Sequence, residues 1–307
     1  MPDTTPIRHT LGEQAARQLA VTTKTVPMME QITPRWLVTF LPWVPVEAGT
    51  YRVNKVKPTA PGTRTVECSP DEEVELPEIY VDYEEKPREY TLTAVTTTLD
   101  VHTRVSDLYR SPHDQIREQL RLIIEKIKER QERELVNNKD YGLLNSVAPT
   151  MRITTRTGAP TPDDLDELLA KVWKEPCFFL AHPRAIAAFG RECTFRGVPP
   201  PTANLFGASF VTWRGVPLVP CDKLAVTEEK TNILLLRTGE KKQGVVGLFQ
   251  PGLAGEVSPS LSVRFMGIDH KAIASYLISL YCSLAILTED SLGLLENVHV
   301  DQYHKYE

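Results

Sequence analysis

The sequence predicts an α+β fold organised around one long helix, and three observations predict it. Residues 111 to 136, SPHDQIREQLRLIIEKIKERQERELV, set Ile116, Leu120, Ile123, Ile124 and Ile127 on a single helical face with charge on the others. Residues 90 to 108, YTLTAVTTTLDVHTRVSDL, are rich in Thr and Val with few breakers, which predicts extended chain leading into that helix. Beyond residue 160 short helical and strand patterns alternate, so the second half is mixed. At roughly 150 residues per domain, 307 residues suggest two units and suffice to bury a large core.

The long helix reads as a scaffold rather than a reactive site. Ser111 can cap its first turn with Asp114 three residues on, and Pro112 suits the first helical position, where a missing N–H costs nothing. Arg121 with Glu125, Glu129 with Arg133 and Arg130 with Glu134 stand at i,i+4, worth ~0.3 kcal/mol each on a wet surface. At a rise of about 1.5 Å per residue the helix runs for about 35 to 40 Å. Its one stripe lacks sustained a/d heptads, which favours a helix laid across a sheet over a coiled coil.

Taken in order, residues 1 to 30 predict an arm with a short helix over 11 to 20, where Leu11, Ala15 and Leu19 line one side. Such a stripe needs a docking surface on the protomer or a neighbour. Residues 32 to 56 gather Trp36, Phe40, Trp43 and Tyr51 among prolines that exclude a continuous helix. Pro58, Pro61, Pro70, Pro77 and Pro87 then punctuate an acidic tract holding Glu67, Asp71, Glu72, Glu73, Glu75 and Glu78, which predicts an exposed excursion. Residues 50 to 57 and 90 to 108 together predict a projecting hairpin, and a two-stranded ribbon needs a partner surface.

Further on, Thr161 as cap, Pro162 at the first turn and Leu165, Leu168, Leu169 and Val172 predict a helix over 161 to 175. Residues 176 to 183 predict a buried strand, PRAIAAFGREC a small helix, and residues 207 to 222 strands around a turn. TNILLLRTGEKKQGVVGLFQP predicts a hairpin of two apolar runs, and residues 261 to 267 alternate as a strand. Residues 272 to 288, AIASYLISLYCSLAILT, are apolar and uncharged; Ser275, Ser279 and Ser283 recur every four residues, which predicts a closely packed buried helix rather than a membrane span.

Composition narrows the functional classes. Lys and Arg total 35 against 40 Asp and Glu, a formal net charge of -5 that supplies no general pull on nucleic acid. Cys68, Cys177, Cys193, Cys221 and Cys282 are scattered without C-x-x-C spacing and predict reduced, buried thiols. No apolar stretch follows the first charges, so no secretory signal is evident and a cytoplasmic location is expected.

Motifs for chemistry are missing. GEKKQGV, residues 239 to 245, has phosphate-loop glycine spacing but no Lys and Ser or Thr after Gly244, and lies between strand-like runs, so a turn explains it better. His9, His102, His113, His182, His270, His299 and His304 form no H-E-x-x-H and no zinc spacing with cysteine. His182 stands five residues after Cys177, but nothing in the pattern orients its ring toward a thiolate. Without a G-x-S-x-G elbow either, the residues predict a non-enzyme with no catalytic, cofactor-binding or metal-ligating set.

The runs TPRWLVTFLPWVPVEAGTYRVNKV, NNKDYGLLN and LFGASFVTWRGVPLVPCDKL resemble encapsulin shell proteins of family 2A, a branch of the HK97-type phage capsid fold, and the similarity extends over the whole chain. The W-x-x-x-F-x-P-W-V-x-V-E-A-G-x-Y-R-V-N run is its most specific part. The resemblance implies an arm over 1–30, the start of a peripheral domain over 31–49, an elongated loop over 50–105 that laps a neighbour, and the peripheral domain with the spine helix over 106–150. It further implies an axial domain over 151–254 and a return strand with C-terminal helices over 255–307. The implied product is a closed, cytoplasmic, icosahedral homo-oligomer of about 60 copies, enclosing a cysteine desulfurase. The pyridoxal phosphate would then belong to the cargo and no cofactor to this chain. A sibling group carries an inserted cyclic-nucleotide-binding domain, for which this chain has neither the length nor a phosphate cradle. By analogy the RGVPPPTAN stretch, residues 196 to 204, approaches an axial pore, with Arg196, Pro200 and Asn204 lining it; an ordinary Pro-rich surface loop reads equally well. Two rival readings stand beside the shell: a DNA-packaging phage-type capsid protein, which the net charge opposes, and a membrane-associated protein held by residues 272 to 288.

Overall fold

The computed structural model describes residues 32–47, 49–57, 82–102, 115–270 and 273–304. The expected arm and its 11–20 helix, the acidic excursion between 58 and 81 and the Ser111–Pro112 helix start lie outside the described residues, as do Cys68, His9 and His113. Among the rest, helices and strands mix as expected.

Two sheets dominate. The first has seven strands in the order β5 (Arg152–Thr154), β15 (Leu292–His299), β10 (Lys230–Leu236), β6 (Phe178–Ala181), β9 (Val216–Pro220), β8 (Ala208–Trp213) and β7 (Thr202–Leu205). Its central strands β6 and β10 are apolar runs buried on both faces, so they read as continuous hydrophobic segments rather than as alternation. Helix α4 (Pro162–Lys171) packs on it, opened by a capping box in which Thr161 Oγ1 accepts the Asp164 N–H while Asp164 accepts from the Thr161 N–H. Helix α5 (Pro183–Phe195) follows β6, its first turn capped by His182 Nδ1, which accepts the Arg184 N–H at 3.1 Å.

The second sheet is built on β14 (Ile273–Ile286), which corrects the expectation of a C-terminal helix at 272 to 288. One edge of β14 is shared end to end by β13 (Leu261–Ile268) and β11 (Val245–Phe249); the other pairs with β4 (Thr93–His102). A serine every four residues keeps one face in a strand as it does in a helix, so the spacing that suggested helix is equally a strand signal. Two-residue alternation decides between them. Ala274, Tyr276, Ile278, Leu280, Cys282, Leu284 and Ile286 share one face, and Ser275, Ser279 and Ser283 share the other. Both edges are hydrogen-bonded and no described helix is long and apolar enough to cross a membrane, so the membrane-anchored reading loses its helix. The other described C-terminal elements are likewise β12 (Glu256–Ser258), β13 and β15, with one short 3-10 turn at Glu289–Ser291.

The spine helix α2 (Gln115–Asn137) lies across this sheet as the stripe predicted. Leu120, Ile123, Ile124 and Ile127 pack on Ile278, Leu280 and Leu261, with Val95 and Leu99 of β4 beside them. Further along, Leu135 and Val136 leave that patch and enter the core of the seven-stranded sheet, so one helix is shared by both layers. A short helix α1 (Trp36–Phe40) bears on the seven-stranded sheet through Trp36 and Phe40, whose rings lie within 5.1 Å of Phe210 and Phe178. Trp43, in β1 (Trp43–Pro45), donates its indole N–H to Val38 O at 2.9 Å and lies over Gly247, where a Cβ would come within 2.6 Å of the ring.

Two sequence expectations divide differently in space. Residues 90 to 108 do not all join a projecting hairpin: β2 (Thr50–Val53) pairs with β3 (Arg88–Thr91), but β4 pairs with β14 along its whole described length. The apolar runs around GEKKQGV are not one hairpin either, since β10 belongs to one sheet and β11 to the other. The turn between them is the crossover. Gly239 takes φ 102°, and Gly244 lies where a Cβ would be 2.4 Å from Arg237 O, so both glycines serve the turn. Arg237, fully buried at this point, donates to Asp290 and Thr288 at 2.7 Å each.

Because Ile278 is fully buried between sheet and spine, Ile278→Ala is expected to cost about 2–4 kcal/mol. Urea-induced unfolding checks this, and a cost below about 1 kcal/mol would mean the helix is not seated there.

Candidate functional site

The densest polar assembly is structural. Lys223, in the turn after β9, is buried and places its ammonium 2.8 Å from Glu129, 2.6 Å from Asp222 and 4.0 Å from Glu132. The N-terminal segment closes the same network: Thr33 donates through N–H and hydroxyl to Glu129, Arg35 reaches Glu125 at 2.6 Å, and the Leu37 N–H donates to Glu132 at 3.1 Å. Glu125 and Glu129 therefore reach away from the helix instead of merely decorating its surface. Burial drives the Glu132 carboxyl up to about 7, against the pull of Lys223 and the Leu37 N–H. Burial alone would depress the Lys223 ammonium, but hydrogen bonds to Asp222 and Glu129 hold it above its ordinary value.

The 196–204 stretch is exposed for most of its length and does not gather its three named residues into one cluster. Arg196 caps the end of α5 and stands 3.7 Å from both Asp163 and Glu192. Pro200 is half-buried, and Pro201 O accepts both the N–H and the hydroxyl of Thr212, which folds the stretch back onto β8. Asn204 is exposed on β7, the edge strand, opposite Ser209. The β7–β8 turn, Phe206 and Gly207 at φ 51° and 77°, lays the Phe206 ring 5.0 Å from Phe40.

Nucleophile chemistry has no footing among the described residues. Burial pushes the Cys221 and Cys282 thiols up to about 12 and Cys193 up to about 11, away from thiolate. His182 is held below its ordinary value by burial, and its Nδ1 is occupied as a helix cap; the Cys177 sulfur accepts from the Thr238 N–H at 3.4 Å. The two are engaged elsewhere, not with each other. No cluster of three metal-ligating groups occurs among the described residues.

Sequence reasoning missed two features. A cleft of about 620 Å³ opens between α1, the spine and the sheet, lined by Arg35, Val38, Trp43, Lys128, Phe249 and Leu280. Apolar side chains also stand in water at Val56 and Tyr83 near the far end of the β2–β3 ribbon, and at Phe265, Met266 and Ile268 on β13. Met266 falls at an irregularity in the β13–β14 register between Phe265 and Gly267, and Phe265, Met266 and Ile268 are all exposed, so that end of the sheet is left uncovered.

Two substitutions probe the network. A carboxyl held above its ordinary 4.5 binds its proton more tightly folded than unfolded, so the contribution of Glu132 is full below about 4.5 and is lost as pH rises toward about 7. Glu132→Gln, which keeps an acceptor for Leu37, is expected to flatten the fall of stability with pH across that interval, read from urea midpoints. Lys223→Met strips the buried carboxylates of their cation and is expected to cost about 3–5 kcal/mol, more at about pH 8 than at about pH 5.

Comparison with known proteins agrees with this architecture. Residues 55–302 match the family model described as type 2A encapsulin shell protein SrpI-like. The chain is 66% identical over 306 residues to the type 2A encapsulin shell protein SrpI of Synechococcus elongatus, covering 100% of this chain and 99% of that protein. It is 62% identical to a type 2A encapsulin shell protein of Mycolicibacterium paratuberculosis, over 96% of each. Among solved structures it superposes on the holo-SrpI encapsulin complex from Synechococcus elongatus with a TM-score of 0.84 at 64% identity, covering 97% of this chain and 99% of that one. A chain of Microbacterium phage Oxtober96 matches at a TM-score of 0.60 with 12% identity, over 92% of this chain and 98% of that one, which shows the shared fold alone. These relatives are shell proteins rather than enzymes, and the chain belongs to the type 2A encapsulin shell family.

Proposed function

We propose that this chain assembles with copies of itself into a closed icosahedral shell of about 60 subunits in the cytoplasm, and that the shell encloses a cysteine desulfurase serving sulfur mobilisation or storage. The observation that carries the assembly is whole-length identity to encapsulin shell proteins. The surface supports it physically: the β2–β3 ribbon extends through the Val56–Tyr83 bridge with apolar side chains in water, and a two-stranded ribbon needs a neighbour to hold it. The division into arm, elongated loop, peripheral domain and axial domain belongs to the same reading. A DNA-packaging role finds no support in a formal net charge of -5. The desulfurase rests on the family resemblance, and its pyridoxal phosphate would be the cargo's, with this chain adding no cofactor.

Expression of the chain alone, followed by negative-stain electron microscopy and light scattering, is expected to give uniform hollow particles; a monomer or small oligomer would sink the shell. Particles isolated from the native host should release a protein that absorbs as a pyridoxal phosphate aldimine and, with an added thiol reductant, converts cysteine to alanine and sulfide. A cargo without either property would overturn the desulfurase while leaving the shell intact.

In the assembled particle Arg196, Pro200 and Asn204 are proposed to border an opening at a symmetry axis. Arg196 is exposed there and offers a cation to passing anions. Arg196→Glu is then expected to slow quenching of an encapsulated fluorophore by iodide several-fold without altering quenching by neutral acrylamide. Equal effects on both quenchers, or none, would return the stretch to an ordinary surface loop.

A further inference from the structure

The end of helix α5 carries an arrangement that the shell reading does not use. Glu192 lies in its last turn and is buried, a costly place for a carboxylate because burial and the negative end of the helix dipole both oppose the charge. Its compensation comes from two directions. Arg196 approaches at 3.7 Å from the loop side, and His304 Nε2 lies 2.5 Å from the Glu192 carboxylate from the C-terminal side. The His304 ring also stacks on Phe195, centroids 3.9 Å apart and planes at 5°.

His304 is brought there by a segment laid along the helix. Val300 is buried, and its N–H donates to Glu229 O at 3.0 Å. Arg191, one residue before Glu192, donates to Val300 O at 2.8 Å and Gln302 O at 3.2 Å, and its guanidinium lies 4.3 Å over the Tyr303 ring. Thus successive helix residues Arg191 and Glu192, with Phe195 a turn later, grip successive tail residues. The same turn of helix closes the loop that follows, since Arg196, Gly197 and Val198 donate their N–H groups to Glu192 O, Thr194 O and Cys193 O.

We propose that Val300–His304 is a strap holding the last turn of α5, so that the mobility of the loop beginning at Arg196 is set by whether the strap is seated. The coupling element is Glu192, which shares its carboxylate between strap and loop. An unseated strap leaves a buried charge whose remaining cationic neighbour, Arg196, is 3.7 Å away, and the helix end relieves that cost by fraying. This holds wherever residues 196 to 204 lie in the particle, so it stands or falls apart from the pore.

The test is hydrogen exchange by mass spectrometry on assembled particles of the full chain. His304→Ala is expected to speed exchange of the Arg196, Gly197 and Val198 amides roughly tenfold while leaving β6 unchanged. Glu192→Gln removes the buried charge, so adding His304→Ala to it should produce a much smaller acceleration than His304→Ala alone. Unchanged exchange at the loop in His304→Ala, or an equal rise in β6, would overturn the strap. So would full additivity of the two substitutions.

Discussion

One ammonium group, Lys223 Nζ, holds three separate stretches of the chain against one another. It sits in the turn after β9, faces Glu129 and Glu132 on the spine helix, and reaches the Thr33 hydroxyl of the N-terminal segment at 3.3 Å. Among the described residues no backbone–backbone hydrogen bond ties these stretches together; side chains do. An apolar joint would tolerate sliding, whereas a buried cation with directional partners accepts one register. In a subunit that must present matching edges to its neighbours, a small error of angle at such a joint is magnified at the rim.

The second constraint is the sharing of β14. Its length lets β13 and β11 occupy one edge in succession while β4 takes the other, so the segment before the spine and the crossover from the seven-stranded sheet meet on one strand. Its apolar face is likewise divided: Ile278 and Leu280 support the spine, and Leu284 and Ile286 belong to the larger core. The opposite face carries serines, of which Ser283 lies opposite Leu248 in β11 and Ser275 donates to Asp100 in β4. Small side chains there leave room for the layer made by Val46, Val246 and Leu287 with Tyr51 and Tyr90 above it. The ribbon β2–β3 is thereby footed on the sheet from which it projects.

Much of this was legible in the sequence where local chemistry and tertiary context agree. The spine was visible because its isoleucines recur with a helical period and its other faces are charged, and α4 because Thr161 and Pro162 write its start. The run at 272 to 288 was misread because a four-residue serine repeat satisfies both periods, and the apolar Leu277 and Tyr281 between the serines on their own face blur the two-residue alternation. Sheet membership was invisible for the runs around GEKKQGV, since two apolar segments joined by a turn look alike whether they pair or part. Lys223 and Glu132 gave no signal at all. Charged residues in a charged helix and a polar turn look solvated until the fold brings them together. The family itself was legible from the aromatic and proline-rich run at residues 36 to 54, where resemblance rather than periodicity carried the information.

The polar groups of this chain are committed to joints rather than to reactions. Thiols are raised by burial, His182 closes a helix, and the glycines that imitate a phosphate loop serve a crossover between sheets. What stands exposed is apolar surface, at the ribbon end and at the β13 end. Exposed hydrophobic area of that kind is a liability for an isolated subunit and an asset for one that finds identical neighbours, because only assembly removes it from water. The separation follows from geometry: joints that must not move are polar, buried and directional, whereas contacts that must form between copies are apolar and left waiting at the rim.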